Sequence, residues 1–226
     1  MKKLLLILLT LLILASSGLA NQLCAYNVGL DQYIANYAGI NNACQIGDKL
    51  FYDFGFGVLP TDGTATAAGT IVITDPGDGV TDPGLIFSNG GFLAFDGGSL
   101  DVTITYSIAT GSGSAIMSGY SLTLAGTATS GVGIVTETFS NSPAGTPLVT
   151  DLSANGTASA NFLPWVSGTT VTTQLHLQSA GTDDTVSISA VREHFLETVP
   201  EPYETVLIGS GLLFFGLYRK RNAIKR

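Results

Sequence analysis

A length of 226 residues fits one ordinary domain plus targeting segments. Between Asn21 and Thr198 only Lys49 and Arg192 are basic, against fifteen acidic residues, so this stretch carries a formal charge of −13. Such a surface repels phosphate backbones, which excludes nucleic acid as an expected partner.

The first twenty residues have the three parts of a secretory signal peptide. Lys2 and Lys3 form a charged start, an apolar run extends from Leu4 to Leu14, and small residues lead up to Ala20. Cleavage by signal peptidase is predicted after Ala20. The alternative is an uncleaved anchor helix, which the shortness of the apolar run disfavours.

The two cysteines of the chain, Cys24 and Cys44, follow directly. In an exported protein they predict a disulfide, which would stabilise the fold by about 3 kcal/mol on the loop-entropy model. A metal pair or a redox pair is the alternative, but there is no C-x-x-C spacing and no nearby histidine. Between the cysteines, Tyr33, Ile34 and Tyr37 could share one face of a short helical stretch.

The body of the chain alternates apolar and polar residues, as half-buried strands do. Five segments place a set of residues on one face: Leu50, Tyr52, Phe54, Phe56 and Val58; Leu100, Val102, Ile104, Tyr106 and Ile108; Tyr120, Leu122 and Leu124; Val171, Thr173, Leu175 and Leu177; Val186, Ile188 and Ala190. Turn signals rich in Gly, Asp and Pro separate them.

These short strands predict an all-β domain over residues 21–197, folded as a two-sheet β-sandwich with a jelly-roll-like or Greek-key arrangement. About eight to ten strands fit this length. A linker is expected from Arg192 to Glu204, where alternation stops and charges and prolines appear.

No catalytic residues are predicted, and the chain is not expected to be an enzyme. His176 and His194 stand in no metal-binding spacing and are interpreted as surface residues. A glycosidase-like hydrolase remains an alternative, because a sandwich can present two facing carboxylates. The sequence offers Asp53, Asp101, Glu137 and Glu193 without selecting a pair.

Two further candidates concern ligands. Asp75, Asp78 and Asp82 lie on a Gly- and Pro-rich loop and could bind Ca²⁺, although their spacing is not that of an EF-hand and equally suits plain turns. No other cofactor is expected. Trp165 is the only tryptophan; exposed it would suggest sugar stacking, whereas Phe162 and Leu163 beside it favour a core position.

The C-terminal segment, residues 198–226, has its own organisation. Val199-Pro200-Glu201-Pro202 precedes an apolar run from Thr205 to Tyr218 and a tail containing Arg219, Lys220 and Arg221. Fourteen helical residues span about 21 Å, so a transmembrane helix requires residues nearer Pro202 and a snorkelling tail. The basic tail would stay in the cytoplasm. A buried helix of the domain is the alternative.

This segment closely resembles the PEP-CTERM sorting signal of exported bacterial proteins, over Val199 to Arg221. The resemblance implies processing by an exosortase at or near Pro200-Glu201-Pro202, after an inner-membrane intermediate. It also implies delivery to the cell surface or extracellular matrix of a Gram-negative-type bacterium, where exopolysaccharide is a candidate partner. The block from Asn42 to Gly57 resembles a C-x-x-G-D-x-x-F-x-x-F opening of other such proteins, a group that supplies no known activity. Five residues carry this resemblance: Cys44, Gly47, Asp48, Phe51 and Phe54.

Three hypotheses follow. The first is a structural or adhesive surface protein. The second is a carbohydrate-binding module for exopolysaccharide, which predicts that Trp165 or several tyrosines are exposed on one concave sheet. The third is a secreted hydrolase, which predicts two carboxylates about 5–10 Å apart in a cleft.

Overall fold

The structure is a computed structural model that describes residues 22–61, 68–74, 83–111, 116–140, 148–151 and 156–198. Within these ranges the chain forms one α-helix, α1 (Leu30–Asn36), and two short 3₁₀ turns, Ile40–Asn42 and Ala68–Thr70. It also forms thirteen strands: β1 (Gln22–Leu23), β2 (Val28–Gly29), β3 (Cys44–Ile46), β4 (Lys49–Thr61), β5 (Val72–Thr74), β6 (Gly84–Phe95), β7 (Ser99–Thr110), β8 (Ile116–Ala128), β9 (Gly131–Phe139), β10 (Leu148–Asp151), β11 (Thr157–Val166), β12 (Gly168–Ser179) and β13 (Thr185–Thr198).

The strands form two sheets, which confirms the predicted β-sandwich. Sheet A has the order β1-β3-β4-β7-β12-β9-β10, and sheet B has the order β11-β8-β13-β6-β5-β2. Most consecutive strands lie in opposite sheets. Among the described pairings only β1 and β3 run parallel.

The core fills the space between the sheets, and the alternating pattern places it there. On β7 the predicted inward residues are buried, from Leu100 to Ile108, and on β12 the set from Val171 to Leu177 is buried as well. The helical stretch predicted within the disulfide loop is also present as α1, where Tyr33 packs edge-on against Phe54 and against Tyr37, the residue that follows the helix.

Two of the predicted faces are wrong in part, because β-bulges shift the alternation. A bulge between Tyr52 and Gly55 leaves Tyr52 half-buried opposite Ser107, while Phe54 is buried. In β13 a shift after Ile188 makes Val191, not Ala190, the next buried residue.

The expected linker from Arg192 is also wrong at its start. Strand β13 continues to Thr198 and is paired with β8 as far as that residue. The charged residues that suggested a linker belong to the strand, and Glu193 among them is buried.

Candidate functional site

The core contains two glutamates that face each other from opposite sheets. Glu137 lies on β9 in sheet A, Glu193 lies on β13 in sheet B, and each is 1% exposed. The Tyr106 hydroxyl donates to Glu193 Oε2, and the Thr173 hydroxyl donates to Glu193 Oε1 at 2.7 Å. Glu193 therefore has two donors from sheet A.

Glu137 is the less satisfied partner. Among the described residues no hydrogen-bond donor reaches either of its carboxylate oxygens. Burial, and then the neighbouring Glu193, raises its pKa well above the usual value of 4.5. Burial also raises the pKa of Glu193 to about 7, although hydrogen bonds from Tyr106 and Thr173 lower it. Both shifts favour the protonated form of the carboxyl group in this pair of facing acids.

A second buried charge lies at one end of the sandwich. The Lys49 side chain is fully buried, and its Nζ donates to Asp48 Oδ1 and to Glu197 Oε1, the latter at 2.5 Å. Burial and a hydrogen bond with Asp48 raise the pKa of Glu197 to about 7, against the lowering effect of Lys49. This ion pair ties the β3–β4 turn to the end of β13.

The block that resembles the C-x-x-G-D-x-x-F-x-x-F opening builds this contact. Gly47 adopts a left-handed φ of 58° in the turn before Asp48, and a backbone of this kind favours glycine. Phe51 packs edge-on against Phe195 at 6.1 Å, and Phe54 stacks on Tyr106 at 5.6 Å. We call the three contacts that join β4 and β7 of sheet A to β13 the inter-sheet ladder: Lys49–Glu197, Phe51–Phe195 and Tyr106–Glu193.

The predicted disulfide is confirmed. Cys24 and Cys44 are bonded, with Cα atoms 4.6 Å apart, and both residues are buried. The bond fixes the N-terminal segment to β3, which immediately precedes the ladder. The predicted structural role of the two cysteines therefore fits their position.

The outer face of sheet A is polar and lies in the solvent. Outward residues of β4, β7 and β12 form rows across the three strands. One row consists of Leu59, Asp101 and His176, and the next consists of Gly57, Thr103 and Gln174. His176 Nδ1 and Asp101 Oδ1 are 2.6 Å apart, and both side chains are about half exposed, at 46% and 49%.

The other predicted carboxylates and histidines are placed separately. Asp53 lies in the β4 bulge with a φ of 55°, and its Oδ1 accepts the Gly39 N–H at 2.6 Å. His176 is a surface residue, as predicted, but His194 is only 8% exposed because β13 continues through it between β6 and β8. Of the four hydrolase candidates, the structure brings together Glu137 and Glu193.

Several predicted sites lie outside the described residues. These are the calcium candidates Asp75, Asp78 and Asp82, and the processing residues Ala20, Pro200, Glu201, Pro202, Arg219, Lys220 and Arg221. The backbone of Trp165 belongs to β11, but its side chain is outside the description. In the described ranges no group of three or more His, Cys, Asp or Glu could hold a metal ion. The part of the chain that is described also has no helix long and apolar enough to cross a membrane.

Comparison with known proteins gives no family. No protein-family model and no curated protein matches the chain. Among solved structures, TmCBM61 in complex with beta-1,4-galactotriose is 9% identical, with 61% of this chain and 86% of that chain covered and a TM-score of 0.32. The family 11 carbohydrate-binding module from Clostridium thermocellum is 10% identical, covering 78% and 99%, with a TM-score of 0.20. A CBM29-2 variant is 13% identical, covering 62% and 92%, with a TM-score of 0.18. At such TM-scores these similarities carry no argument about the ligand of this chain.

Proposed function

We propose that this chain is an exported structural or adhesive protein of the cell surface or extracellular matrix, with a jelly-roll-like sandwich delivered by its C-terminal segment. One observation carries the proposal. Strand β13 is described as far as Thr198 and is held near that point by the contact between Lys49 and Glu197, and Val199-Pro200-Glu201-Pro202 follows directly in the sequence. The domain and the sorting-like segment therefore meet without a spacer.

The redox state of the domain supports export. Both cysteines are consumed in one disulfide, and bonds of this kind persist in oxidising compartments outside the cytoplasm. The apolar start of the chain would direct it there, and signal peptidase would cut after Ala20.

The C-terminal segment would act as a substrate for an exosortase. Pro200 and Pro202 would disfavour helix and favour an extended site that a protease can bind. The apolar run from Thr205 to Tyr218 and the basic tail would hold an inner-membrane intermediate until cleavage at or near Glu201. In this account the chain is processed and does not perform catalysis.

The core glutamates do not favour the hydrolase alternative. A glycosidase needs two carboxylates that a sugar chain can reach. Glu137 and Glu193 are each 1% exposed and are enclosed between the sheets. Their arrangement supports a role in the stability of the sandwich.

A carbohydrate-binding module is the second candidate. The observation that favours it is the outer face of sheet A, where Gln174, His176, Asp101 and Thr103 form a neighbouring group of exposed or half-buried polar side chains. Amides, hydroxyls and carboxylates of this kind pair with sugar hydroxyls. A surface protein that binds a matrix glycan would also be adhesive.

Intact mass tests the proposal. The protein would be recovered from the cell envelope and from the culture matrix, and its mass measured with and without reductant. We expect loss of Met1–Ala20 and of everything after about Pro202, and a gain of two hydrogen atoms on reduction. A mature protein with its full C-terminus would refute exosortase processing and leave a membrane-tethered sandwich.

A further inference from the structure

We propose that the outer face of sheet A around Gly57 binds a neutral glycan chain. This inference rests on the adhesive function proposed above and gives it a site and a ligand class. The site consists of six aligned residues on three adjacent strands: Gly57 and Leu59 of β4, Asp101 and Thr103 of β7, Gln174 and His176 of β12.

We call the gap that Gly57 leaves between the outward side chains of this face the hollow. Its backbone does not adopt a left-handed φ, so the strand geometry does not require glycine at this position. A Cβ added here would approach only the Thr103 Cβ, at 4.0 Å, which is ordinary contact. The absence of a side chain therefore leaves open space on an exposed strand. Two residues along, Leu59 is 73% exposed and borders this space with an apolar surface.

The polar groups lie beside the hollow. Gln174 is opposite Thr103, and Thr103 is opposite Gly57. In the adjacent row, His176 Nδ1 and Asp101 Oδ1 bond at 2.6 Å. This contact fixes both side chains but uses one ring nitrogen and one carboxylate oxygen. The second nitrogen and the second oxygen remain for two neighbouring hydroxyls of a ligand.

The face continues along β4 toward an aromatic residue. Beyond Gly57 it passes Gly55 to Tyr52, which is half-buried opposite Ser107. At about 3.3 Å per residue, Tyr52 and Leu59 are roughly 20 Å apart along the strand. An apolar group at each end of a polar strip suits an extended chain of sugars, whose C–H faces pack on apolar side chains.

Charge selects a neutral polymer as the occupant. The domain has fifteen acidic residues and two basic ones, and Asp101 adds a carboxylate to the face itself. A polyanionic glycan would be repelled, and a second copy of the chain carries the same excess of negative charge. A neutral glycan escapes this repulsion and can use the amide, hydroxyl and imidazole groups.

The test measures binding of soluble neutral polysaccharides to the exported protein purified from cells that express the full chain. Hydroxyethyl cellulose, galactan and mannan are the probes in native affinity electrophoresis, and calorimetry follows for the polymer that retards the protein. Gly57→Val fills the hollow, and the double variant Gln174→Ala/His176→Ala removes the polar groups. We expect each to weaken binding at least about tenfold, which is about 1.4 kcal/mol.

Thr123→Val is the matched control on the outer face of sheet B, where Thr123 is half-buried opposite Thr157. It should bind as the wild type does. Matching urea midpoints of all variants would exclude unfolding as the cause of a loss. Failure of the wild type to bind any neutral probe, or binding that the face variants leave unchanged, would overturn the proposal. Concentration-dependent self-association abolished by Gly57→Val would instead identify a face for a second copy.

The two proposals can fail separately. Intact mass reports processing and location, whereas affinity electrophoresis reports the glycan site. A full-length tail with intact glycan binding would refute exosortase sorting alone. A processed tail without glycan binding would leave a structural surface protein with no glycan site on sheet A.

Discussion

Replacing Glu137 by glutamine should stabilise the sandwich at neutral pH and leave its stability near pH 4.5 unchanged. The side chain is buried, and among the described residues no donor reaches its oxygens. Burial and the adjacent Glu193 raise the pKa of Glu137 well above 4.5. The folded protein therefore keeps a proton that the unfolded chain releases as the pH rises.

The magnitude follows from this retained proton. For an acid with a raised pKa, stability is fully present below the unfolded value of 4.5 and is lost as the pH rises toward the folded value. One retained proton costs about 1.4 kcal/mol of unfolding free energy per pH unit. Glutamine has no such proton, so the variant should gain on the wild type as the pH rises above about 4.5, by up to about 1.4 kcal/mol for each pH unit over which Glu137 stays protonated.

Urea unfolding of the oxidised protein, followed by circular dichroism between about pH 4.5 and about pH 7, measures this difference. The matched control is Thr136→Gln, which places the same new side chain one residue away on β9, at a half-buried position opposite Gln174. Its curve should run parallel to that of the wild type. Parallel curves for Glu137→Gln and the wild type would show that Glu137 keeps no proton in the folded state.

Three further changes test the ladder and the disulfide by the same unfolding assay. Lys49→Met leaves Asp48 and Glu197 without their buried cation and should lower the free energy of unfolding by about 3–5 kcal/mol. Adding Glu197→Gln should restore part of this loss. A loss within about 1 kcal/mol would contradict a buried ion pair. Tyr106→Phe removes one of two donors to Glu193 and should cost about 1–3 kcal/mol at neutral pH, but less near pH 4.5, where Glu193 is protonated. Replacing Cys24 and Cys44 by serine should cost about 3 kcal/mol, and an unchanged urea midpoint would show that the loop contributes nothing.

The long strands were predictable because one physical rule decides them. Where one face of a strand is buried, period-two alternation specifies which residues turn inward, and β7 and β12 follow it along their whole length. The disulfide was predictable from the two cysteines together with the predicted signal peptide, because paired cysteines in an exported protein usually form such a bond. The short strands β1, β2, β3, β5 and β10 have two to four residues and too little pattern to detect.

The β-bulges limited how well the sequence predicts which strand residues point into the core. At Asp53 the backbone turns to a φ of 55°, a conformation that few residues other than glycine adopt. As a result, Phe51 before the bulge is buried opposite Ile108, whereas Tyr52 lies opposite Ser107 on the outer face. Local sequence does not reveal such a shift, because the bulge is held by a contact from a distant part of the chain: the backbone N–H of Gly39, just before the 3₁₀ turn Ile40–Asn42, donates to Asp53.

The glutamate pair carried a signal that the sequence interpretation missed. Val135-Thr136-Glu137-Thr138-Phe139 and Val191-Arg192-Glu193-His194-Phe195 share the pattern V-x-E-x-F. Alternation places each glutamate between two core residues and thus on the buried face. The charges and prolines from Arg192 onward favour a linker instead, which is why this part of β13 is not predicted as a strand. Two such patterns in one sandwich predict two carboxyl groups in the core, where the charge of one raises the pKa of the other.

The inter-sheet ladder could not be derived from spacing, because Lys49 and Glu197 are 148 residues apart. Its position has a consequence for the order of events in the proposed export. Strand β13 lies between β8 and β6 and carries Glu193, Phe195 and Glu197 into the core contacts with sheet A. Sheet B therefore cannot close until the chain has been supplied as far as Thr198. Because the Pro-Glu-Pro segment begins two residues later, the proposed cleavage there would leave these described contacts of β13 in place.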